Sequence, residues 1–284
     1  MKQAIRMVLV LALLAPTARA GSPWSQESGE GYAQAAFYWI LPYDELFAGD
    51  DVFVTSREIT DVTLEAYLEH GIADAWTMIA AVPFKQLDAG SAVDGATVPV
   101  LPDEGSVSAL GALRLGVKRQ LTGGAWASAM QLDVELPTGS LDDATGLRSG
   151  IDGTAWVPSF SVGQGLANGY WFAHAGVAIR DEGYSEQFRG GFEYGRRAFG
   201  DRWLFVGGIE IVDSFRNGNR TVEPTNAASG LYLDRQEVVA PVLKAIYRAG
   251  AGWGVSGTVQ GGFDGHLIAR SPFLGIAVFT NYGG

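Results

Sequence analysis

The 284 residues carry 20 Lys plus Arg against 31 Asp plus Glu, a formal charge of -11, with no cysteine and with 39 glycines that follow no collagen-like or low-complexity period. A disulfide framework and lipid attachment through an N-terminal cysteine are thereby excluded, and an acidic chain without a basic stripe is unsuited to phosphate backbones, so no nucleic acid is expected as a partner. No Pro- or Ser-rich linker and no shift in composition divides the chain, so a single domain is expected.

At the start, Lys2 and Arg6 precede an apolar run over 7–15, and Ala18-Arg19-Ala20 closes the segment with small residues. This is the order of a secretory signal peptide, and the run is far shorter than the ~20 residues of a spanning helix. Cleavage after Ala20 is expected, giving a signal peptide at 1–20 and one domain at 21–284. Loss of Lys2, Arg6 and Arg19 leaves 17 basic against 31 acidic residues, a formal charge of -14.

From there on, alternation at period two recurs to the end of the chain and no sustained helical stripe interrupts it, so the fold is expected to be all-β. The first strand is predicted over 31–40, followed by a long connection at 41–56. The next strand places Asp61, Thr63, Glu65, Tyr67 and Glu69 on one face and Val62, Leu64, Ala66 and Leu68 on the other. A tight turn near 71–74 leads to a strand over 75–85, and a second long connection is predicted at 86–105. Tight turns follow at 121–124, 166–169, 199–201 and 249–252. Longer connections follow the strands over 125–136 and 202–215, with shorter ones at 181–184 and near 265–271. Long connections thus alternate with tight turns, and the strand count comes to about twelve.

The residues after the tight turns carry a second signal. Trp76, Trp126, Trp171, Trp203 and Trp253, five of the eight tryptophans, each stand just after a turn. Counting onward in twos from each Trp gives, for example, Met78, Ala80, Val82 and Phe84, or Phe205, Gly207, Ile209 and Ile211. Of the twenty positions so reached, only Ser128 is neither apolar nor glycine. A strand needs ~9 to 11 residues to cross a bilayer at a tilt, and aromatic girdles mark its interfaces. A soluble sandwich gives tryptophans no reason to share a level. The expectation is therefore a closed antiparallel transmembrane β-barrel of about 12 strands, monomeric, in the outer membrane of a Gram-negative bacterium, with short periplasmic turns and long external loops.

Two segments also resemble a known family. The run Tyr67-Leu68-Glu69-His70-Gly71-Ile72-Ala73-Asp74 with the strand after it, and the run Val134-Glu135-Leu136-Pro137-Thr138-Gly139, are similar to the outer-membrane proteins grouped as the MetA-pathway of phenol degradation family. The likeness covers nearly the whole mature chain through turn-and-strand patterns. It implies a barrel for uptake of aromatic or other small hydrophobic compounds. Many such barrels end on an aromatic residue, whereas here Phe279-Thr280-Asn281-Tyr282 is followed by Gly283-Gly284.

The face opposite the tryptophan series is expected to line the lumen. Asp61, Thr63, Glu65, Tyr67, Glu69, Asp133, Glu135, Glu193 and Glu210 are assigned there, with Arg114, Lys118, Arg180, Arg189 and His174 facing them. Opposed charges of this kind set selectivity in a pore or fill a small barrel with salt bridges. Inward apolar residues, Ile79, Phe172, Leu204 and Val206 among them, suit a partly greasy path. Acidic residues of the predicted loops, such as Asp44, Asp88 and Asp152, lack the spacing of a calcium loop, and no metal or cofactor is expected. The leading function is passive uptake of small molecules. The alternatives are a non-conducting structural or surface-interaction barrel and, further off, a lipid hydrolase built on Ser161, His174 and Glu193. Expected partners are outer-membrane lipid and lipopolysaccharide, the barrel assembly machinery and a small solute.

Overall fold

A computed structural model describes residues 21–250 and 252–283. The expected signal peptide lies outside the described residues. The elements in chain order are β1 (Gly31–Ala48), β2 (Asp51–Ala73), β3 (Trp76–Ala92), β4 (Gly105–Leu110), β5 (Leu113–Thr122), β6 (Ala127–Leu136), β7 (Ala155–Leu166), β8 (Gly169–Arg180), β9 (Gln187–Ala198), β10 (Trp203–Ser214), α1 (Pro224–Ser229), β11 (Glu237–Arg248), β12 (Trp253–Gln260), β13 (Asp264–Ala269) and β14 (Phe273–Tyr282).

Each strand pairs antiparallel with its neighbours, and β1 is bonded to β2 on one side and to β14 on the other, from Gly31 opposite Tyr282 to Ile40 opposite Phe273. The sheet therefore closes on itself. β4 and β5 follow one another along β3, and β12 and β13 follow one another along β11, so the fourteen segments occupy twelve positions around the wall. Closure leaves no row of unpaired N–H and C=O groups, the only way a sheet survives in hydrocarbon.

The break between β4 and β5 has a local cause. Pro83 of β3 faces it, and proline brings no N–H to a ladder. The Gly111 N–H donates to the Pro83 carbonyl at 2.9 Å, and the hydroxyls of Ser149 and Thr138 reach the Leu110 and Gly111 carbonyls. A loop thus takes over hydrogen bonds that the strand gives up.

The outward face carries Leu64, Met78, Phe84, Leu115, Met130, Phe160, Leu243 and Ile276, all strongly exposed, the last two by about two-thirds of their surface. In water so large a continuous apolar belt would be an aggregation surface, whereas against acyl chains it is the required finish. Ser128, the polar exception in that belt, shares a 2.8 Å hydrogen bond with the Thr122 hydroxyl. The five turn-proximal tryptophans lie on this outer face at one end, and Trp126 meets Trp171 edge-on at 5.4 Å.

Strand ends differ from the sequence expectation mainly at the opposite, external end. Residues 41–48 and 51–56, expected as loop, continue β1 and β2 as a long hairpin around register shifts between Ile40 and Glu45. β3 runs seven residues beyond the predicted Lys85, so Asp44 and Asp88 stand in strands instead of loops, and β13 occupies most of 265–271. The Pro, Gly and Asp content of 41–51 reads as loop, but bulges absorb it.

Candidate functional site: the lumen and its stoppers

The interior is built in three storeys. At the girdle end, Tyr32, Tyr67, Ile79, Tyr170, Phe172, Leu204, Val206, Ile246 and Phe279 form one buried apolar cluster. Within this greasy ring sit Glu69 and Lys118, both almost fully buried, with Lys118 Nζ 3.5 Å from Glu69 Oε2. The Tyr67 hydroxyl donates to Glu69 at 2.7 Å. Glu193 accepts from the Tyr170 hydroxyl and lies 3.9 Å from Lys244 Nζ.

The ring is filled by chain. Residues 21–30 precede the first strand: 27–30 cross the mouth at the girdle end, with 27–29 exposed, and 21–26 lie up inside the barrel. Trp24 packs edge-on against Tyr170 and Phe172 at 5.8 and 6.2 Å. The Ser25 N–H donates to Gln120 Oε1 at 2.9 Å, the Gln26 N–H to the Thr77 hydroxyl at 2.8 Å, and the Gln26 amide to Glu69 at 3.1 Å. Lys118 reaches the Ser22 hydroxyl at 3.4 Å. Gly71 makes the entry possible, since a Cβ there would fall 1.9 Å from the Glu27 carbonyl oxygen. This stopper was not expected from the sequence. The trace that could have exposed it is Trp24, an aromatic residue outside the girdle series in a Gly-Ser-Pro-Trp-Ser segment with no strand of its own.

The middle storey is polar. Glu135 takes two hydrogen bonds from Arg189, at 2.6 and 3.2 Å. Asp133 accepts from Gln131 at 2.7 Å while its other oxygen, Oδ1, is buried without a hydrogen bond. Arg114 lies over the Tyr67 ring at 5.9 Å, and His174 Nε2 is 3.6 Å from Glu210. Glu65 alternates with the lipid-exposed Leu64 and Ala66 and so faces inward as well. A cavity of about 180 Å³ remains at the tip of the stopper, lined by Gly21, Arg114, Asp133, Glu135, His174, Arg189 and Glu210 among others.

The external storey is closed by loops. Leu147 and Leu231, from loops 137–154 and 215–236, join Tyr43, Leu46, Ile59 and Leu87 in a second apolar cluster. Asp234 accepts from the Ser185 N–H and hydroxyl at 2.8 and 2.7 Å and from Arg180 at 3.1 Å. Below them Lys85 pairs with Asp61 at 2.7 Å beside the Tyr232 ring, and Thr63 donates to Asp61 at 3.3 Å. In loop 137–154, burial pushes the Asp152 carboxyl up, but the Tyr184 hydroxyl, Arg220 and Arg148 outweigh it and hold it below the usual range. The Thr145 N–H and hydroxyl likewise hold Asp142 down.

The sequence-assigned lumen residues are therefore not one ring. Tyr67, Glu69, Lys118 and Glu193 lie with the stopper, seven others share the middle storey, and Asp61, Thr63 and Arg180 belong to the external end. Ser161 and His174 are opposite one another across β7 and β8 as the register predicts, but Glu193 stands opposite Phe172, and the carboxylate beside His174 is Glu210. Among the described residues no group of three or more His, Asp or Glu is arranged to hold a metal ion.

No family model and no curated protein matches the chain. Solved structures do. The COG4313 outer membrane channel from Pseudomonas putida F1 superposes with a TM-score of 0.73 at 12% identity, over 93% of this chain and 100% of that one. The β domain of the Bordetella autotransporter BrkA gives 0.50 at 13%, over 90% and 100%. The CymD monoaromatic hydrocarbon channel, at 0.44 and 9% over 90% and 88%, is too distant to carry an argument. At these identities the likeness is one of fold, and the fold is that of an outer membrane β-barrel.

Proposed function

We propose that the chain is an outer-membrane channel for passive uptake of small molecules, aromatic or otherwise apolar ones in particular, and that residues 21–30 stopper it at rest. The observation that carries this reading is the make-up of the girdle-end lumen: aromatic and aliphatic side chains packed around the indole of a segment that is not part of the wall. An apolar solute can take the place of the Trp24 ring against Tyr170 and Phe172. The middle storey, rich in charge, would then act as the filter above it. Lipopolysaccharide and outer-membrane lipid against the outer belt, and the assembly machinery at the periplasmic end, complete the proposed setting.

Single-channel recording in a planar bilayer tests this. The exported chain should show small conductance steps, and a variant lacking residues 22–26 should show steps several times larger that an aromatic solute blocks. A second reading, a non-conducting structural barrel, is favoured by the closure of both ends. Silence from both proteins, with folding shown by heat-modifiable migration, would establish that reading and sink the channel.

A further inference from the structure

The apolar ring around Trp24 is bordered by charge at its mouth. Tyr170 and Phe172 lie stacked, 6.2 Å apart and 13° from parallel, and the Trp24 indole stands edge-on to both. The Tyr170 ring covers Gly195, where a Cβ would fall 2.5 Å from it, and the next inward position of β9 toward the mouth is Arg197. Arg197 stands opposite Leu204 of the ring and Leu204 opposite Ile246, whose next inward neighbour on β11 is Arg248. Arg248 faces Gly254, over which the Phe279 ring lies. Two half-buried guanidinium side chains thus continue the inward faces of β9 and β11 past the aromatic seat, near enough to act on one another, with Asp201 on the exposed turn acting on Arg248 as well. The acids within the ring are held by other groups, Glu193 by the Tyr170 hydroxyl and Lys244, and Glu69 by Tyr67 and Lys118.

We propose that this lip is a binding site for an aromatic carboxylate, whose ring takes the place of the Trp24 indole against Tyr170 and Phe172 and whose carboxylate accepts hydrogen bonds from Arg197 and Arg248. The site deepens the uptake reading and rests on it for transport, whereas binding at the lip does not. Arg248 is already engaged, but a guanidinium presents five N–H donors in a rigid fork, enough to keep a partner and turn two donors to a carboxylate. Two like charges side by side also repel, and an anion between them relieves the repulsion. Seat and anchor together set the class: a neutral arene lacks the anchor, and a small aliphatic acid lacks the ring. Solute and Trp24 exclude one another, so the ligand that binds the lip also keeps the stopper out.

Fluorine NMR titration of the full exported chain, folded in detergent micelles with empty micelles as the blank, tests the site. The probes are para-fluorobenzoate and its uncharged isostere para-fluorobenzamide, at neutral pH. The acid should bind roughly tenfold more tightly than the amide. Arg197→Gln/Arg248→Gln should erase that preference and leave the amide affinity as it was, and Trp24→Ala, which empties the seat, should tighten binding of both probes. Equal affinities in the parent would overturn the site. So would a preference that survives the double Gln variant in a barrel shown folded by heat-modifiable migration, or an acid affinity that Trp24→Ala leaves unmoved. The channel fails separately: arginine-dependent binding of the acid beside a silent bilayer keeps the site and removes transport, while conductance without that binding keeps transport and removes the site.

Discussion

Lys118 is the residue on which the closed interior turns. Its ammonium is wholly buried between Glu69 and Ser22, joining the wall to the stopper. Removing one partner of a buried pair costs roughly 3–5 kcal/mol, because the other charge is left unpaired. Glu69 keeps hydrogen bonds from Tyr67 and Gln26, which places Lys118→Met near the lower end, about 3 kcal/mol. The expected outcome is a lowered denaturant midpoint and a raised conductance, with Lys118→Met/Glu69→Gln closer to the parent in stability than Lys118→Met alone. At this scale the sequence was legible as to side: alternation set which residues face inward, Glu69 and Lys118 included. It was silent on partners, because which inward residues meet across a lumen depends on strand tilt and shear, which no period of two encodes.

Among the elements, the spanning strands and the external loops make opposite demands on charge. Leu132 lies on the lipid face of β6 between Gln131 and Asp133, which point inward. Leu132→Arg should cost roughly 2–4 kcal/mol if it lies near the bilayer midplane, while arginine in place of Trp126 at the interface should cost about 1 kcal/mol or less. Unfolding of the reconstituted barrel in denaturant would measure both, and equal costs would contradict the assigned depth. The loops titrate instead. Asp142 and Asp152 are held below their usual range in the folded protein, so the stability they lend is present above the unfolded carboxylate value of ~3.9 and fades as pH falls through the lower folded values. Protease access to loop 215–236 should therefore stay constant from about pH 7 to pH 5 and rise only below about pH 4. An onset near pH 6 would point to a histidine in place of these acids.

For the whole molecule, twelve strand positions, closure and the outward belt were readable because each rests on a repeated pattern, the turn, the tryptophan and the alternation after it. The long β1–β2 hairpin was missed where bulges let Pro42, Gly49 and Asp50 stay within one continuous pairing, and the inward loops were missed because the residues that 137–154 and 215–236 bury follow no period. The stopper escaped for the same reason: ten residues held by individual contacts, Trp24 with Tyr170 and Gln26 with Thr77, leave no pattern in the chain.

The seam of the barrel gives that segment a place in time as well. Gly31, the first residue after it, is bonded opposite Tyr282 near the end of the chain, so the earliest-made part of the barrel must wait for the latest-made before the wall is whole. Until then the side through which residues 21–30 could be laid in stands open. Once 31–40 zips onto 273–282, the remaining way in is end-on, through a mouth that the indole of Trp24 must squeeze past. Corking and sealing are thus two views of a single late moment in the biogenesis of this protein, and a chain that seals empty is born ajar.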